Sequence, residues 1–176
     1  VVAAAETYIG LVEVGVGVIP GGGGTKEMTL RTSRDFVKDD VKNNRLRDAF
    51  MNIAMGKVAT SAYEAMDMHI LEKGKDLIVV NKNTQIQTAK SVALAMAEQG
   101  YTQPIQQKVT VLGKDALGMF YVGTDQMLAG NFISEHDKKI ADKLAFVMAG
   151  GNLSEQTQVS EQYLLNLERE AFLQLC

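Results

Sequence analysis

The residue types best suited to chemistry lie in one short stretch of the sequence, from Glu13 to Thr25. Six of the 16 glycines fall between Gly15 and Gly24, and glycine permits backbone dihedral angles that other residues avoid. Helix formers follow Thr25, so these amides would lie at a helix N-terminus, where anionic groups bind. Glu13 has apolar neighbours, the kind of environment that adapts a carboxyl group for proton transfer. The alternative interpretation of Glu13 is a strand residue that faces solvent.

Two nucleotide-binding motifs can be compared with this glycine run, and neither fits. A Walker A loop places a lysine and then a hydroxyl residue after its last glycine, whereas here Thr25 precedes Lys26. A dinucleotide fingerprint needs a third glycine in the pattern G-x-G-x-x-G after a strand. Gly15 and Gly17 are followed by Pro20 at that third position. A nucleotide-binding loop is therefore the weakest of the functional alternatives.

Composition and charge limit the class of protein. The chain has 176 residues and a net charge of −3, with 46% apolar and 22% charged residues. These values suit an ordinary globular domain, or a large piece of one, rather than a disordered or fibrous chain. The charge gives no case for nucleic acid or an anionic membrane as a partner. No apolar run approaches the ~18 to 20 residues that a membrane span needs.

Cysteine and histidine usage points away from disulfides and metals. The only cysteine is Cys176, which excludes an internal disulfide and a cysteine-based zinc site. His69 and His136 lie far apart in the sequence and form no ligand pair at metal spacing, so we expect them at surface or helix-capping positions. We therefore expect a chain without a metal site, in a reducing and cytoplasmic setting.

The segment from Lys26 to Arg47 is the basic part of the chain. It holds seven basic and four acidic residues, so its charge is +3 and that of the remainder is −6. Two interpretations stay open. Scattered surface charge is common, so the segment could be a solvated helix and loop; alternatively, it attracts a phosphate-bearing ligand.

The spacing of apolar residues predicts that helices dominate. Residues 7–19 are rich in β-branched residues and broken by glycine, which predicts short extended pieces and a tight connection. Apolar runs at 77–80 and 109–112 have the length of strands. Helix starts are indicated by capping residues, each with an acidic or amide side chain three positions later; these are Ser61, Thr84 and Ser134. A last helix is predicted from about residue 160 to the end.

Residues 10–25 resemble the signature of the crotonase (enoyl-CoA hydratase/isomerase) superfamily. That pattern runs Pro-Glu, three variable residues, Gly, one variable residue, Ile or Phe, Pro, and then Gly-x-Gly-Gly-Thr. Glu13 falls on its acidic position and Thr25 on its last position, without a gap, while Val12 replaces the usual proline. Residues 61–65 resemble the helix that follows the catalytic segment in the family. His69 stands where that helix commonly ends in glycine, and histidine is among the residues that adopt positive φ.

Later residues resemble one subgroup, the long bacterial 3-hydroxyacyl-CoA dehydrogenases with a crotonase-like domain at the C-terminal end. The likeness rests on Asn81, residues 89–90, 100–101 and 149–151, and residues 161–172. It implies that residues 1–71 are the C-terminal half of a crotonase-like core and residues 72–176 a helical extension of the same domain. The implied fold class is α/β: the C-terminal part of a crotonase-type ββα spiral, mostly helical with a few short strands.

The resemblance also implies a site. Crotonase chemistry adds water to, or moves, a double bond conjugated to a CoA thioester, and it needs amides for the enolate oxygen and carboxylates for proton transfer. Glu13 is implied as the catalytic acid/base and Gly21 as the substrate-binding residue, through its amide. The second glutamate, the oxyanion amides and most CoA contacts of the family would precede Val1, so we expect the isolated chain to be inactive. No cofactor is implied within this chain, and NAD is implied for the dehydrogenase part of a longer parent protein.

Two functional hypotheses from different classes follow. In the first, the chain is a piece of a fatty-acid β-oxidation enzyme that acts on acyl-CoA thioesters. In the second, the apolar stripes of residues 136–149 and 160–175 form a non-catalytic interaction module that docks onto other domains or subunits. The surface that a missing spiral would leave uncovered predicts self-association or such docking.

Overall fold

The computed structural model describes all residues from 1 to 176. Its strands are short: β1 (Val2–Ala4), β2 (Ile9–Gly10), β3 (Val58–Ala59), β4 (Leu77–Val79), β5 (Lys108–Val111) and β6 (Thr157–Ser160). Its helices are α1 (Gly24–Arg34), α2 (Lys42–Ala54), α3 (Ala62–Asp67), α4 (Gln85–Glu98), α5 (Lys114–Ala129), α6 (Glu135–Ala149) and α7 (Glu161–Leu173), with 3₁₀ helices at Glu13–Val16 and Lys82–Thr84. Helices hold 54% of the residues. The predicted α/β class, mostly helical with short strands, is confirmed, and the ββα spiral stays a prediction.

The chain divides into two compact units, each built from two separate stretches of sequence. The first unit comprises residues 1–10 and 58–105, and the second comprises residues 11–57 and 106–176. This division is one of spatial packing. The predicted boundary at residue 71, which separates a crotonase-like core from a helical extension, stays a prediction.

The first unit contains two pairs of strands and little core. β1 pairs in parallel with β4, placing Ala3 opposite Ile78, and β2 pairs antiparallel with β3. Its buried apolar residues are mostly alanines: Ala3, Ala59, Ala62, Ala65, Met68 and Leu71. None of the 14 residues of α4 is buried. A parallel pair of strands is ordinarily covered on both faces, and in this unit the buried core beside the strands is small.

The end of α3 follows the prediction made from its sequence. Ser61 Oγ accepts a hydrogen bond from the Glu64 amide at 3.1 Å, as an N-cap residue does. His69 adopts φ 59° just beyond the helix, the left-handed conformation in which helices commonly end. His69 is exposed, in keeping with the expected capping role.

The second unit holds the larger core. α6 buries seven residues: Ile140, Ala141, Leu144, Ala145, Val147, Met148 and Ala149. β5 pairs antiparallel with β6, and Val109 and Val111 of that pair pack in one cluster with Leu30 of α1 and Leu164 of α7. The rings of Phe50 in α2 and Phe120 in α5 stack with centroids 4.4 Å apart. The predicted apolar faces of α6 and α7 are therefore interior faces of this unit.

Helix α5 is an element that the sequence analysis did not predict. It contains Gly118 and Gly123, which lower helix propensity by about 1 kcal/mol each relative to alanine. A Cβ atom at either glycine would meet nothing within 4 Å, so neither glycine is required by close packing. The buried side chains of α5, among them Leu117 and Phe120, stabilise the helix through tertiary contacts instead. Packing here overrides local propensity.

Candidate functional site

Glu13 opens the 3₁₀ helix that ends at Val16. This corrects the prediction of an extended piece, because Gly17 adopts φ 92° and the chain turns back on itself. The Gly17 amide donates to the Val14 carbonyl at 3.1 Å, and the Val18 amide donates to the Glu13 carbonyl at 3.3 Å. Glu13 is half-buried; its Oε2 atom is fully buried, and no donor of the chain reaches it. A buried acceptor without a donor costs stability. Such atoms in a folded protein call for an explanation, and a catalytic role is one that recurs.

The glycine turn, residues 21–24, follows directly and has a constrained shape. Gly23 adopts φ 94° and is the N-cap residue of α1; glycine adopts this conformation at no steric cost. A Cβ atom at Gly24 would lie 2.9 Å from Leu11 Cδ2 and 3.0 Å from Pro20 Cβ. At these two positions, the backbone conformation or the close approach of neighbours requires glycine.

The N-terminus of α1 already binds a carboxylate, and it belongs to the chain itself. Glu168 Oε1 accepts a hydrogen bond from the Gly23 amide at 2.5 Å, and Oε2 accepts one from the Lys26 amide at 2.9 Å. Glu168 is only 1% exposed. Burial raises the pKa of Glu168 above its ordinary value, and the amide hydrogen bonds oppose that rise.

A group of charges surrounds Lys26 at the same helix end. Lys26 Nζ lies 2.9 Å from Glu27 Oε2 and 3.0 Å from Glu161 Oε2. Burial lowers the pKa of Lys26, but its hydrogen bonds with these carboxylates outweigh that effect and the net pKa is raised. The amide of Gln107 donates to Glu161 at 2.7 Å, and that bond, with the help of Lys26, lowers the pKa of Glu161. Lys26, the first residue of the basic segment, is thus paired within the fold.

Gly21 is exposed to solvent, yet its α-carbon faces an aromatic ring. A Cβ atom at Gly21 would lie 2.6 Å from Phe172 Cδ2, whereas one at Gly22 would meet nothing within 4 Å. Phe172 and Glu168 are four residues apart on α7 and so lie on one face of that helix. This face of α7 contacts the beginning of the glycine turn through Phe172 and its end through Glu168.

The two predicted site residues belong to the same unit, at either end of a short connecting segment. Glu13 precedes the segment 17–20 and Gly21 follows it. His136 lies beside this segment as well, since its Nε2 atom is 3.3 Å from where a Cβ atom at Gly17 would be. His69 belongs to the other unit. The roles of Glu13 and Gly21 in catalysis and binding stay predictions.

Glu168 is the residue at this site that sequence analysis missed. A signal for it was available, because Leu164 and Ala171 of the same helix are buried and stand at helical spacing on either side of it. A lone carboxylate on an apolar helix stripe is buried only with partners. The identity of those partners, the amides of a turn 142 to 145 residues away, could not be obtained from spacing.

A separate cavity of about 630 Å³ lies among α5, α6 and α7. Its lining mixes Lys138, Lys139 and Lys143 with Glu135, Asp142 and Glu170, so it has no preference for one sign of charge. Neither Glu13 nor Gly21 lines it. The structure brings no three His, Cys, Asp or Glu side chains together in a way that could hold a metal ion.

None of the helices combines the length and apolar character needed to cross a membrane.

Comparison with known proteins gives two relatives that are named as enzymes. The chain is 46% identical over 173 residues to a protein of Bacillus subtilis (strain 168) named "Probable 3-hydroxyacyl-CoA dehydrogenase", a match that covers 98% of this chain. It is 26% identical over 175 residues, 99% of its length, to a Rickettsia felis protein named "Putative fatty acid oxidation complex trifunctional enzyme". The chain spans 21% of the length of each relative. No family model matches the chain.

These names agree with the predicted class of parent protein, a β-oxidation enzyme of the 3-hydroxyacyl-CoA dehydrogenase type. The resemblance to crotonases rests on the motif from Glu13 to Thr25 and stays a prediction.

Proposed function

We propose that this chain is part of a longer fatty-acid β-oxidation enzyme, a 3-hydroxyacyl-CoA dehydrogenase with an enoyl-CoA hydratase/isomerase-like domain. In this proposal the chain supplies Glu13 as an acid/base for reactions of acyl-CoA thioesters in the cytoplasm. The observation that carries the proposal is the Oε2 atom of Glu13, which is buried without a donor and precedes a turn of constrained shape. The names of the two relatives support the class of enzyme.

The proposed chemistry follows from what a carboxylate and a turn of amides can do. In hydration, the oxygen of water bonds to the β-carbon of the enoyl thioester, and a carboxylate accepts the proton that water loses. The electron pair of the double bond moves to form an enolate, whose oxygen is stabilised by backbone amides. The α-carbon then accepts a proton. Glu13 would exchange one of these protons, and the Gly21 amide would contact the substrate or the added water.

NAD, which a 3-hydroxyacyl-CoA dehydrogenase uses as hydride acceptor, does not fit the glycines of this chain. Pro20 replaces the third glycine of the fingerprint, and Gly15 lies in a 3₁₀ helix instead of after a strand. The first amides of α1 hold Glu168 and not a pyrophosphate. These residues therefore do not form an NAD site.

The test is hydration of a short trans-2-enoyl-CoA by the full-length protein that contains this chain. Glu13→Gln should lower turnover by about 100-fold or more, as loss of a general acid/base does, while binding of the CoA thioester is retained. Glu6→Gln is the matched control, because Glu6 is an exposed carboxylate of the other unit and should have no effect. Equal turnover in the Glu13→Gln and wild-type proteins, or none in either, would exclude the acid/base role.

A second candidate function, a non-catalytic interaction module, is favoured by the surface of α4. Ile86 is 80% exposed, Leu94 54% and Met96 41% on a helix with no buried residue. Apolar patches of this kind mark surfaces that bind other proteins or domains. In this proposal the patch is covered by a second copy or by the rest of the longer protein.

Sedimentation of the purified 176-residue chain tests this second function. The wild-type chain should self-associate, and Ile86→Glu together with Leu94→Glu should shift it toward monomer because charges are costly in an apolar interface. Lys114→Glu, which makes the same total change in charge at an exposed position of the other unit, is the control. A chain that is monomeric without any substitution would count against the module.

A further inference from the structure

Helix α7 provides the two side chains that determine the shape of the glycine turn. The Glu168 carboxylate accepts the amides of Gly23 and Lys26, and the Phe172 ring packs where a side chain at Gly21 would otherwise be. Both contacts join residues more than 140 positions apart in the sequence. The C-terminal helix therefore supplies the side chain that caps α1, since no neighbouring residue does so.

The effect of Glu168 extends back along the chain to Gly21. The amides that it binds belong to the first turn of α1, and Thr25 in that turn donates its hydroxyl to the Pro20 carbonyl at 3.3 Å. The Pro20 carbonyl belongs to the same peptide group as the Gly21 amide. Because a peptide group is planar, fixing the Pro20 carbonyl also fixes the direction in which the Gly21 N–H points.

We propose that Glu168 is a positioning residue, which orients the Gly21 amide toward the substrate through Thr25 and Pro20, while Phe172 packs against the beginning of the turn at Gly21. This inference rests on the proposed function, in which Gly21 contacts the substrate or the added water. Glu168 itself does not touch the reacting atoms. It supplies the anion that the N-terminus of α1 would otherwise take from solution.

The chemistry of the contact requires a carboxylate. Its two oxygens accept hydrogen bonds from separate amides, whereas a glutamine would turn its NH₂ group toward one of these donors. Glu168→Gln therefore replaces one hydrogen bond with a donor–donor contact at nearly the same volume. Glu168→Ala removes the Cγ methylene and the carboxylate together, and acetate has the atoms needed to replace them.

The experiment measures hydration of a short trans-2-enoyl-CoA by the full-length protein, with rates expressed per folded molecule from circular dichroism. Glu168→Ala should lower kcat by about 10- to 100-fold, the loss typical of a misplaced contact to the reacting groups. Added acetate should restore kcat in a saturable manner, and acetamide should not. Glu170→Ala, an exposed carboxylate on the same helix, should show neither effect. Should Glu168→Ala fail to fold, Glu168→Gln is compared with Glu170→Gln in the same assay.

Amide hydrogen exchange of residues 21–26, followed in the same proteins, separates the possible results. Faster exchange in Glu168→Ala, reversed by acetate together with kcat, supports the inference. Two results overturn the positioning role of Glu168 and leave the role of Glu13 standing. The first is a Glu168→Ala protein with wild-type kcat. The second is a loss of kcat that acetate does not restore although it reverses the change in exchange. A wild-type protein that does not hydrate the substrate overturns the proposed function itself, and the positioning role with it.

Discussion

Replacing Gly21 by alanine probes the contact between the glycine turn and α7. The new Cβ atom would lie 2.6 Å from Phe172 Cδ2 and 3.0 Å from Cε2 and Cγ, whereas carbon atoms pack best at ~3.5 to 4.0 Å. Relief of such an overlap in a packed region costs about 1–3 kcal/mol. The loss of unfolded-chain entropy on replacing glycine offsets ~0.4–1 kcal/mol of that. We expect a net destabilisation of about 1–2 kcal/mol.

Urea unfolding of the purified chain, followed by circular dichroism, measures this difference. Gly22→Ala is the matched control: a Cβ atom there meets nothing within 4 Å, so stability should be unchanged or rise by about 0.4–1 kcal/mol. In a Phe172→Leu background the aromatic ring is absent. There Gly21→Ala should reduce stability by at least about 0.5 kcal/mol less than it does in wild type, as expected for residues in contact.

The comparison between neighbouring glycines decides the outcome. If Gly21→Ala destabilises the chain no more than Gly22→Ala does, Phe172 does not pack against Gly21 and the described contact is wrong. If Gly21→Ala is costly but the cost is the same with leucine at position 172, the overlap is with another group.

Two further predictions concern helix ends in the second unit. In the capping box of α6, Ser134 Oγ and the Asp137 carboxylate each accept a hydrogen bond from the other residue's amide. Ser134→Ala removes this box and should lower the free energy of unfolding, measured in urea, by about 1 kcal/mol. An effect near zero would mean that the cap does not form. The pKa of Glu161 is lowered by the Gln107 amide and by Lys26, so its contribution to stability is present above its unfolded pKa of about 4.5 and is lost as pH falls through the lower folded pKa. Stability measured against pH should therefore fall more steeply below about pH 4.5 in wild type than in Glu161→Gln, and parallel curves would contradict this assignment.

Local sequence determined the elements whose signals lie within a few residues. Ser61 and Ser134 cap α3 and α6 as their spacing predicted, because an N-cap hydrogen bond joins residues only two or three positions apart. The apolar run at 77–80 correctly predicted β4, and the apolar stripe on α6 correctly predicted its buried face. Thr84 is an exception, since it makes no side-chain cap and Asn81 caps the preceding 3₁₀ turn instead.

The sequence also pointed to the stretch that holds the candidate site, through the density of glycine and the motif around Glu13. It did not predict that Glu13 opens a 3₁₀ helix or that one of its oxygens is buried without a donor. β-branched neighbours favour extended structure, and the turn at Gly17 prevailed over that preference.

Only the tertiary structure decided what occupies the N-terminus of α1. A glycine-rich turn before a helix indicates an anion site, and the sequence could not show whether that anion is a ligand or a side chain. The structure places Glu168 there, 145 residues from Gly23. A buried carboxylate needs several donors at once, and residues so distant in sequence come together only when the helices pack. The glycines permit the shape of the turn, and that packing places the carboxylate which binds it.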